Sequence, residues 1–432
     1  MTDIGFSRDH MIDPEAPPAS EVGVIGWLRA NLFSSWLNTL LTILSIAAIL
    51  WLFDHVYPWF RHAVWNASSL TECREIIAAR WGEGAGGACL AVIHQRWNQF
   101  LFGFYPMELY WRPTLAFALL LVALAPVLFT ELPRRFLWFS VAYPGLAYWL
   151  LWGGSLMVPL TVYAAFAVGW LGNRLAGRIS PLLGVIAAIL ATLIWWLYVA
   201  VPVGRVLGDV LPFDLRPVSS KQFGGFMLSL VIGFTGIAFS LPMGVLLALG
   251  RRSDMFLVHT LSVGFIEFIR GVPLITLLLV ASYLLNIFLP PGTNFDIILR
   301  VIIMVTLFSA AYVAETIRGG LAALPRGQYE AADALGLDYW KAMRLVIMPQ
   351  ALKISIPNLV NNFISLFKDT TLVAIIALLD PIGLVTSIRA DSAWNGIVWE
   401  LYGFVALVFF VTCYSMGRYS RYLEHKLRTD NR

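Results

Sequence analysis

The chain has 432 residues, of which 59% are hydrophobic and 13% are charged, and its mean hydropathy is +0.75. A soluble globular domain carries about 25% charged residues, so the composition excludes a soluble enzyme or a soluble binding domain. The formal net charge is +4. Because the basic residues are spread between apolar segments, this charge argues against nucleic-acid binding and for a membrane topology signal.

The chain begins with residues 1–33, which are polar and mixed in charge. The first apolar run after them is long enough to span a membrane, so no cleavable signal peptide is expected. A bilayer core about 30 Å thick needs about 20 apolar residues per helix. On that criterion the sequence predicts an all-α integral membrane protein of about ten transmembrane helices, at 34–53, 113–129, 136–151, 156–171, 183–201, 226–249, 256–288, 297–317, 356–379 and 397–416.

The seventh run is too long for one straight span. Arg270, Gly271, Val272 and Pro273 lie in its middle, and proline removes a helical hydrogen bond and clashes with the preceding turn. We therefore predict a break in this helix at Gly271–Pro273.

Orientation follows from the distribution of Lys and Arg outside the runs. One set of loops holds 18 basic residues and the other holds nine. The positive-inside rule then places both termini in the cytoplasm of a bacterial inner-membrane protein, in agreement with an even number of spans. The loop 54–111 is predicted to be extracytoplasmic.

That loop contains Cys73 and Cys89. Cysteines in an oxidising compartment often pair, so we predict a Cys73–Cys89 disulfide, with two unpaired buried thiols as the alternative. Metal ligation is disfavoured because His94 is the only nearby histidine, and no metal site is predicted anywhere in the chain. Cys413 lies inside the last run and is expected to be an inert thiol.

The longest cytoplasmic connection, residues 319–352, has the pattern of two short helices with a turn between them. Pro325 suits the first turn of the first helix, and Gly336 stands where a helix ends in the left-handed conformation. Asp338 is placed to cap the second helix. Pro349 either stops that helix or begins the next segment.

This connection also carries a spaced motif. It reads Glu-Ala-Ala, three residues, Gly, nine residues, Val, one residue, Met-Pro, and the residues concerned are Glu330, Ala331, Ala332, Gly336, Val346, Met348 and Pro349. The pattern resembles the EAA loop of binding-protein-dependent ABC permeases, from which it departs by Val for Ile and Met for Leu. The resemblance implies that Glu330, Ala331, Ala332, Gly336 and Pro349 couple the chain to a separate ATPase.

Three further stretches, residues 266–274, 311–320 and 368–372, resemble the polar amino-acid permeases of that family. The resemblance covers about residues 222–425 and implies a five-helix core of the type I ABC importer class. In its layout the N-terminal half resembles the longer M-type permease of the general L-amino acid importers.

The expected organisation is therefore a cytoplasmic tail at 1–33, an N-terminal membrane region at 34–221, a permease core at 222–425 and a short cytoplasmic tail at 426–432. The expected partners are a Q-type permease subunit in a heterodimer, an ATPase dimer, a periplasmic amino acid binding protein, the amino acid itself and membrane lipid. The sequence lacks a G-x-x-x-x-G-K-[ST] loop, so we expect no cofactor in this chain and ATP with Mg²⁺ in the partner ATPase.

A candidate substrate path comes from periodicity. In the ninth run, polar residues recur at intervals of three, four and three, which places them on one helical face. Ionisable residues in neighbouring runs lie inside the membrane, where they usually face a cavity or a partner. The hypothesis is a path lined by Asn358, Asn361, Ser365, Lys368, Glu315, Glu267 and Arg270. In the alternative, the charged residues pair within or between helices and fix packing.

Three other functions compete with an ATP-driven importer subunit. An ion-coupled secondary amino acid transporter often shows inverted repeats with broken helices at matching positions, and the N-terminal half offers no counterpart to the predicted break. A membrane enzyme would need a catalytic motif, and the sequence has neither a zinc pattern nor a G-x-S-x-G elbow. A non-transporting scaffold or sensor draws its support from the N-terminal half, for which no transport role is predicted.

Overall fold

The computed structural model describes residues 23–129, 131–211, 213–283 and 296–429. Within these ranges the regular secondary structure is helical apart from one short antiparallel strand pair, β1 Gly154–Ser155 with β2 Asp214–Leu215. This confirms the all-α prediction. The contacts divide the chain into two compact units, residues 1–92 and 93–432.

The first unit contains a long apolar helix. Its helices are α1 Gly23–Asn31, α2 Trp36–Arg61 and α3 Leu70–Trp81. Helix α4 Ala91–Gln95 begins at the C-terminal end of this unit and continues into the second one. Ser35 caps α2 by accepting a hydrogen bond from the Asn38 N–H at 3.2 Å. The 26 residues of α2 rise about 39 Å at about 1.5 Å per residue, so the helix extends eight residues past the predicted span, which ended at residue 53.

After α2, the first unit forms a small lobe. Ser69 caps α3 by accepting from the Glu72 N–H, and the Glu72 carboxylate accepts in turn from the Ser68 N–H at 2.7 Å. Cys73 and Cys89 form a disulfide whose Cα atoms lie 6.1 Å apart. Both cysteines are buried, so the disulfide lies at the centre of the lobe.

The second unit begins with helices that pack as neighbours along the chain. They are α5 Trp97–Phe102, α6 Trp111–Leu128, α7 Leu137–Trp152, α8 Met157–Ala176, α9 Pro181–Ile194 and α10 Ala200–Val210. Helix α6 packs against α7, and α8 packs against both α9 and α10. A π-helical turn, Trp195–Val199, joins α9 to α10.

The remaining helices surround one central helix. They are α11 Gly225–Arg251, α12 Phe256–Gly271, α13 Leu274–Tyr283, α14 Ile297–Ala322, α15 Arg326–Ala334, α16 Tyr339–Ala342, α17 Met348–Asp369, α18 Pro381–Arg389 and α19 Trp399–Thr429. Helix α14 packs most extensively against α11 and α17. Because it is covered on several sides, α14 buries Ile298, Val301 and Val305 in the main apolar core.

Residues 93–221 share that core with the later helices. Tyr105 and Leu151 lie in the same buried cluster as Phe223 and Leu228. The chain enters α11 at Gly225, where φ is +60° and a side chain would overlap the Phe100 carbonyl. Glycine alone fits such a position without strain. The helices from α6 to α10 are thus built onto the core that α11 and the later helices form.

Seven helices of the described residues are long and apolar enough to span a membrane: Trp36–Arg61, Met107–Leu128, Pro181–Val210, Gly225–Arg251, Ile297–Ala322, Tyr339–Ile376 and Trp399–Leu427. An eighth is added if the bent pair α12–α13 is counted as one span. Each of the ten predicted runs overlaps at least one helix of the described residues. Helix α7, however, has 16 residues, which rise about 24 Å and fall short of a 30 Å bilayer core. Helix α8 carries the polar residues Asn173 and Arg174 in its last turn. These residues lower its mean hydropathy, and α8 is not among the seven helices.

The predicted break in the seventh run is confirmed. Helix α12 ends at Gly271, α13 begins at Leu274, and their axes differ by 101°. Val272 between them is extended, with φ −108° and ψ 131°, as expected for a residue that precedes proline. The part of the predicted run after residue 283 lies outside the described residues.

Candidate functional site

The connection between α14 and α17 has the predicted first helix, turn and cap, but its second helix is not short, because it continues into α17. Pro325 is the residue before α15, and Gly336 follows that helix in the left-handed region with φ +70°. Asp338 caps α16 by accepting from the Lys341 N–H at 2.9 Å. This hydrogen bond, with the Lys341 ammonium at 3.0 Å, holds the pKa of Asp338 below its ordinary value. We call residues 323–347 the coupling segment, after the role that the EAA resemblance implies.

Pro349 neither ends the second helix nor begins a separate one. It lies in the first turn of α17, where its missing N–H disrupts the preceding hydrogen-bond pattern. The helix bridges this point through a π-helical turn at Met343–Ile347, whose last hydrogen bond runs from the Met348 N–H to the Met343 carbonyl. A π turn accommodates an altered register without ending the helix, so α16 and α17 are continuous.

The coupling segment rests on the ends of α11, α14 and α17. Ala332, Met343 and Ile347 are buried, the latter two in a cluster with α14 residues. The Arg252 Nη1 after the end of α11 donates to the Tyr329 hydroxyl at 2.9 Å, and Gln350 donates to Gln328 at 2.9 Å. These contacts fix the segment to the membrane helices.

The opposite side of the coupling segment is uncovered and unusually apolar. Leu335, Tyr339, Trp340 and Leu345 are 76%, 51%, 69% and 63% exposed. Glu330 and Ala331 are also exposed, whereas Ala332 is buried. An exposed cluster of large apolar side chains typically marks a surface that binds another protein.

Five charged residues meet beside the coupling segment. The Glu315 carboxylate accepts from the Arg318 Nε at 2.9 Å and from the Arg251 Nη1 at 3.4 Å, and the Arg270 Nη1 lies 4.0 Å away. Arg251 also donates to Glu267 at 2.8 Å. This charge cluster, Arg251, Glu267, Arg270, Glu315 and Arg318, connects α11, α12 and α14 at a single place.

The charge cluster brings together three of the predicted path residues, Glu267, Arg270 and Glu315, and two residues that were not predicted to line the path. Glu267 and Arg270 each pair with another helix, not with each other. Both Arg251 and Arg318 belong to the basic loop residues that indicate orientation. Arg318 also lies in the stretch 311–320 that resembles the amino-acid permeases, whereas Arg251 is marked only by its position at the end of an apolar run. For the three charged path residues, the structure favours the alternative in which they fix packing between helices.

The polar face predicted for the ninth run lies on α17. Asn358, Asn361, Ser365 and Lys368 are all exposed in this chain, whereas Leu359, Leu366 and Phe367 on the other side are buried. We call these four exposed residues the polar stripe. Among the described residues, no hydrogen bond or ion pair joins the polar stripe to the charge cluster.

A neighbouring face of α17 contacts α14. The Asn362 side chain donates to the Thr316 hydroxyl at 2.8 Å, and the Ser355 hydroxyl lies 3.3 Å from the Thr316 carbonyl. Gly320 packs so closely on Ser355 that a methyl group there would overlap its hydroxyl. These contacts therefore fix the orientation of α17 about its own axis, and the polar stripe stays on the uncovered side.

The long apolar helices define an integral membrane protein, and the comparisons with known proteins give its class. The family model for the binding-protein-dependent transport system inner membrane component matches residues 240–429. Over the whole of both chains, the sequence is 60% identical to the glutamate/glutamine/aspartate/asparagine transport system permease protein BztC of Rhodobacter capsulatus. It is 41% identical, over 93% of both chains, to the inner membrane amino-acid ABC transporter permease protein YhdY of Escherichia coli.

Among solved structures, the crystal structure of an amino acid ABC transporter with histidines is similar at 31% identity and a TM-score of 0.42, over 46% of this chain and 91% of that chain. On the strength of the sequence matches, the chain belongs to the family of binding-protein-dependent transport system inner membrane components. It is the permease subunit of an ABC importer. This confirms the resemblance seen in the EAA pattern, and it overturns the ion-coupled secondary transporter.

Proposed function

We propose that this permease subunit imports amino acids that carry a carboxylate or carboxamide side chain, and that a periplasmic binding protein delivers them. The name of the relative from Rhodobacter capsulatus supports this substrate class, since it includes glutamate, glutamine, aspartate and asparagine. The relative from Escherichia coli supports amino acids more generally.

The main observation that supports a transport path is the exposed polar stripe on α17. Asn, Ser and Lys side chains that face lipid lose their hydrogen bonds to water at considerable cost. A membrane helix that exposes four of them therefore faces an aqueous path or a second permease subunit. The amides of Asn358 and Asn361 both donate and accept hydrogen bonds, and the Lys368 ammonium complements a carboxylate.

The coupling segment is proposed to dock on a separate ATPase that binds ATP and Mg²⁺. Its uncovered apolar surface supports a protein partner, and the rigid base beneath it supports transmission of the movement of that partner. Glu330 supplies an exposed charged anchor, and the small Ala331 allows a close approach. In this proposal the coupling segment, both termini and the excess of basic residues lie on the cytoplasmic side.

The partner permease is proposed to be a related Q-type subunit, so that the transport path forms between two different chains. The importer then contains this chain, the Q-type chain, two ATPase subunits and the binding protein. Because the polar stripe is uncovered in the single chain, the second permease provides the other wall of the path.

Purification tests this proposal directly. The tagged full-length chain is expressed together with the genes beside it, and the co-purified chains and ligand are identified by mass spectrometry. We expect a second permease and an ATPase, and ATP-dependent uptake of labelled glutamate, glutamine, aspartate or asparagine into proteoliposomes at a rate well above that of lysine or leucine. A complex with two copies of this chain would contradict the heterodimer, and equal uptake of all amino acids would contradict the substrate class.

A further inference from the structure

Helix α12 meets the end of α11 in an unusual way. Gly250, the penultimate residue of α11, lies against both Val258 and Ser262. The next residue, Arg251, donates to the Glu267 carboxylate at 2.8 Å. Two consecutive residues of α11 therefore contact positions that are nine residues apart on α12.

Nine residues of an α-helix extend about 14 Å. If α12 returned across the membrane beside α11, Glu267 would lie about 17 Å above the start of α12 and opposite the middle of α11. Arg251, at the very end of α11, would then be out of reach. The contacts instead require α12 to cross the end of α11 at a steep angle, so that Glu267 stays within reach of Arg251.

The contacts at the far end of α12 agree with this placement. Arg270 lies 4.0 Å from Glu315, which is hydrogen-bonded to Arg318 near the end of α14. The chain then bends by 101° into α13. Helix α12 is thus nearly perpendicular to the helix that follows it and steeply inclined to the helix that precedes it.

The side chains of α12 fall into three faces at helical spacing. One is buried against the core and consists of Ser262, Ile266 and Ile269. A second is polar and exposed, and contains His259, Thr260, Glu267 and Arg270. The third is apolar yet exposed, and contains Leu257, Leu261 and Phe268 at 66%, 64% and 63% exposure. Separate apolar and polar faces of this kind are typical of helices that lie in the membrane interface.

We propose that α12 lies in the plane of the membrane, on the bilayer face that carries the coupling segment. Its exposed apolar face enters the lipid, its polar face meets water, and the crossing of the bilayer begins at α13. The occupant of the exposed apolar face is therefore lipid. The surrounding charge fits anionic headgroups, because Arg251, Arg252, Arg270 and Arg318 outnumber Asp254, Glu267 and Glu315 at this level.

This placement changes the role of the charge cluster. Glu267 and Arg270 then lie at the membrane surface and not at mid-bilayer depth, where charged side chains are costly. Through Glu315 and Arg318, α12 is tied to the last turns of α14, from which the coupling segment emerges. Helix α12 acts as a lipid-anchored support beneath the coupling segment.

Depth measurements test the proposal without any transport assay, so its outcome is independent of the proposed function. In full-length protein carrying Cys413→Ser, single nitroxide labels are placed at positions 257, 259, 261 and 268. The protein is reconstituted in vesicles of phosphatidylethanolamine and phosphatidylglycerol. Collision rates with oxygen and with a water-soluble nickel chelate give the depth of each label. Labels at positions 37, 44 and 51 of α2 provide the matched crossing helix.

We expect the labels at 257, 261 and 268 to report one shallow depth, about 5–10 Å below the headgroups, and the label at 259 to collide mainly with the nickel chelate. The α2 labels should differ by about 10 Å per seven residues. A depth change of about 16 Å between positions 257 and 268 would show that α12 crosses the membrane and would overturn the proposal. Two other results at positions 257, 261 and 268 would also overturn the proposal. In one, the labels are shielded from both reagents because a protein covers them. In the other, they collide freely with the nickel chelate.

Discussion

Gly336 sets the geometry of the coupling segment through its backbone alone. Its φ is +70°, and a Cβ atom added there would meet no heavy atom within 4 Å. Any cost of a substitution is therefore conformational, about 1–2 kcal/mol for a residue with a Cβ in the left-handed region. Gly327, in the same segment, also has open space but lacks a positive φ, which makes it a matched control.

We predict that Gly336→Val uncouples ATP hydrolysis from transport, because the turn between α15 and α16 no longer holds its angle. Gly336→Asn should retain most coupling, since asparagine tolerates this region of φ and ψ, and Gly327→Ala should behave like the original protein. The ratio of ATP hydrolysed to substrate transported in proteoliposomes measures the effect. Normal coupling in Gly336→Val would show that the turn does not act as a rigid lever.

Asp380 is a fully buried carboxyl group outside the membrane spans. It caps α18 by accepting from the Gly383 N–H at 2.9 Å and the Ile382 N–H at 3.1 Å. Burial raises its pKa from 3.8 to about 6, although these two hydrogen bonds oppose the shift. The folded state thus holds this proton more tightly than the unfolded chain does.

The sign of the pH effect follows from that difference. The contribution of Asp380 to stability is complete below about pH 4 and is lost as the pH rises through about 6, by about 3 kcal/mol in total. We predict that the apparent Tm of the purified chain decreases between about pH 4.5 and pH 8, and that Asp380→Asn makes this part of the profile flatter, because asparagine keeps the cap without a titration. An unchanged profile in Asp380→Asn would assign the pH dependence to other groups.

At the scale of elements, helix α17 has one face that packs against other helices and one face that is exposed. Its apolar face joins the core, the Asn362–Thr316 hydrogen bond fixes its rotation, and the polar stripe is left uncovered. The sequence periodicity predicted this stripe. It did not predict that Glu267, Arg270 and Glu315 would meet Arg251 and Arg318, because those contacts join helices that are far apart in the chain.

We predict that Asn361→Ala combined with Ser365→Ala lowers amino acid uptake about tenfold, equivalent to about 1.4 kcal/mol of lost interaction in the path. Ser415→Ala is the control, since it removes an exposed hydroxyl from another membrane helix, α19. Initial rates of uptake at several substrate concentrations measure the effect, and membrane content of each variant is matched by immunoblot. If the double variant transports every tested amino acid at the original rate and affinity, the polar stripe does not line the path.

At the scale of the whole molecule, the chain consists of two compact units with different means of stabilisation. The second unit has an extensive apolar core that runs from Tyr105 to Leu378. The lobe of the first unit is small, and its centre is the Cys73–Cys89 disulfide with a sequence separation of 16. A loop of about that length is stabilised by about 3 kcal/mol when it is closed.

We predict that Cys73→Ala with Cys89→Ala opens this lobe and leaves the second unit intact. Limited proteolysis should then cut between residues 62 and 90 at least about tenfold faster, since about 3 kcal/mol is a large part of the stability of a small lobe. Cys413→Ala, which removes a thiol from α19, should leave the cleavage rate unchanged. Equal cleavage rates in the double variant and the original chain would mean that packing alone holds the lobe together.

The sequence by itself was sufficient to predict the helices, the break at Pro273, the turn at Gly336, the cap at Asp338 and the EAA pattern. Each of these depends on residues within a few positions of one another, whose steric and hydrogen-bonding preferences act before the chain folds. Tertiary structure decided the rest: the charge cluster, the core that α6 and α7 share with α11, and the steep angle of α12. Those features depend on which distant helices come into contact, and a pattern of apolar runs gives the length of a helix but not its direction.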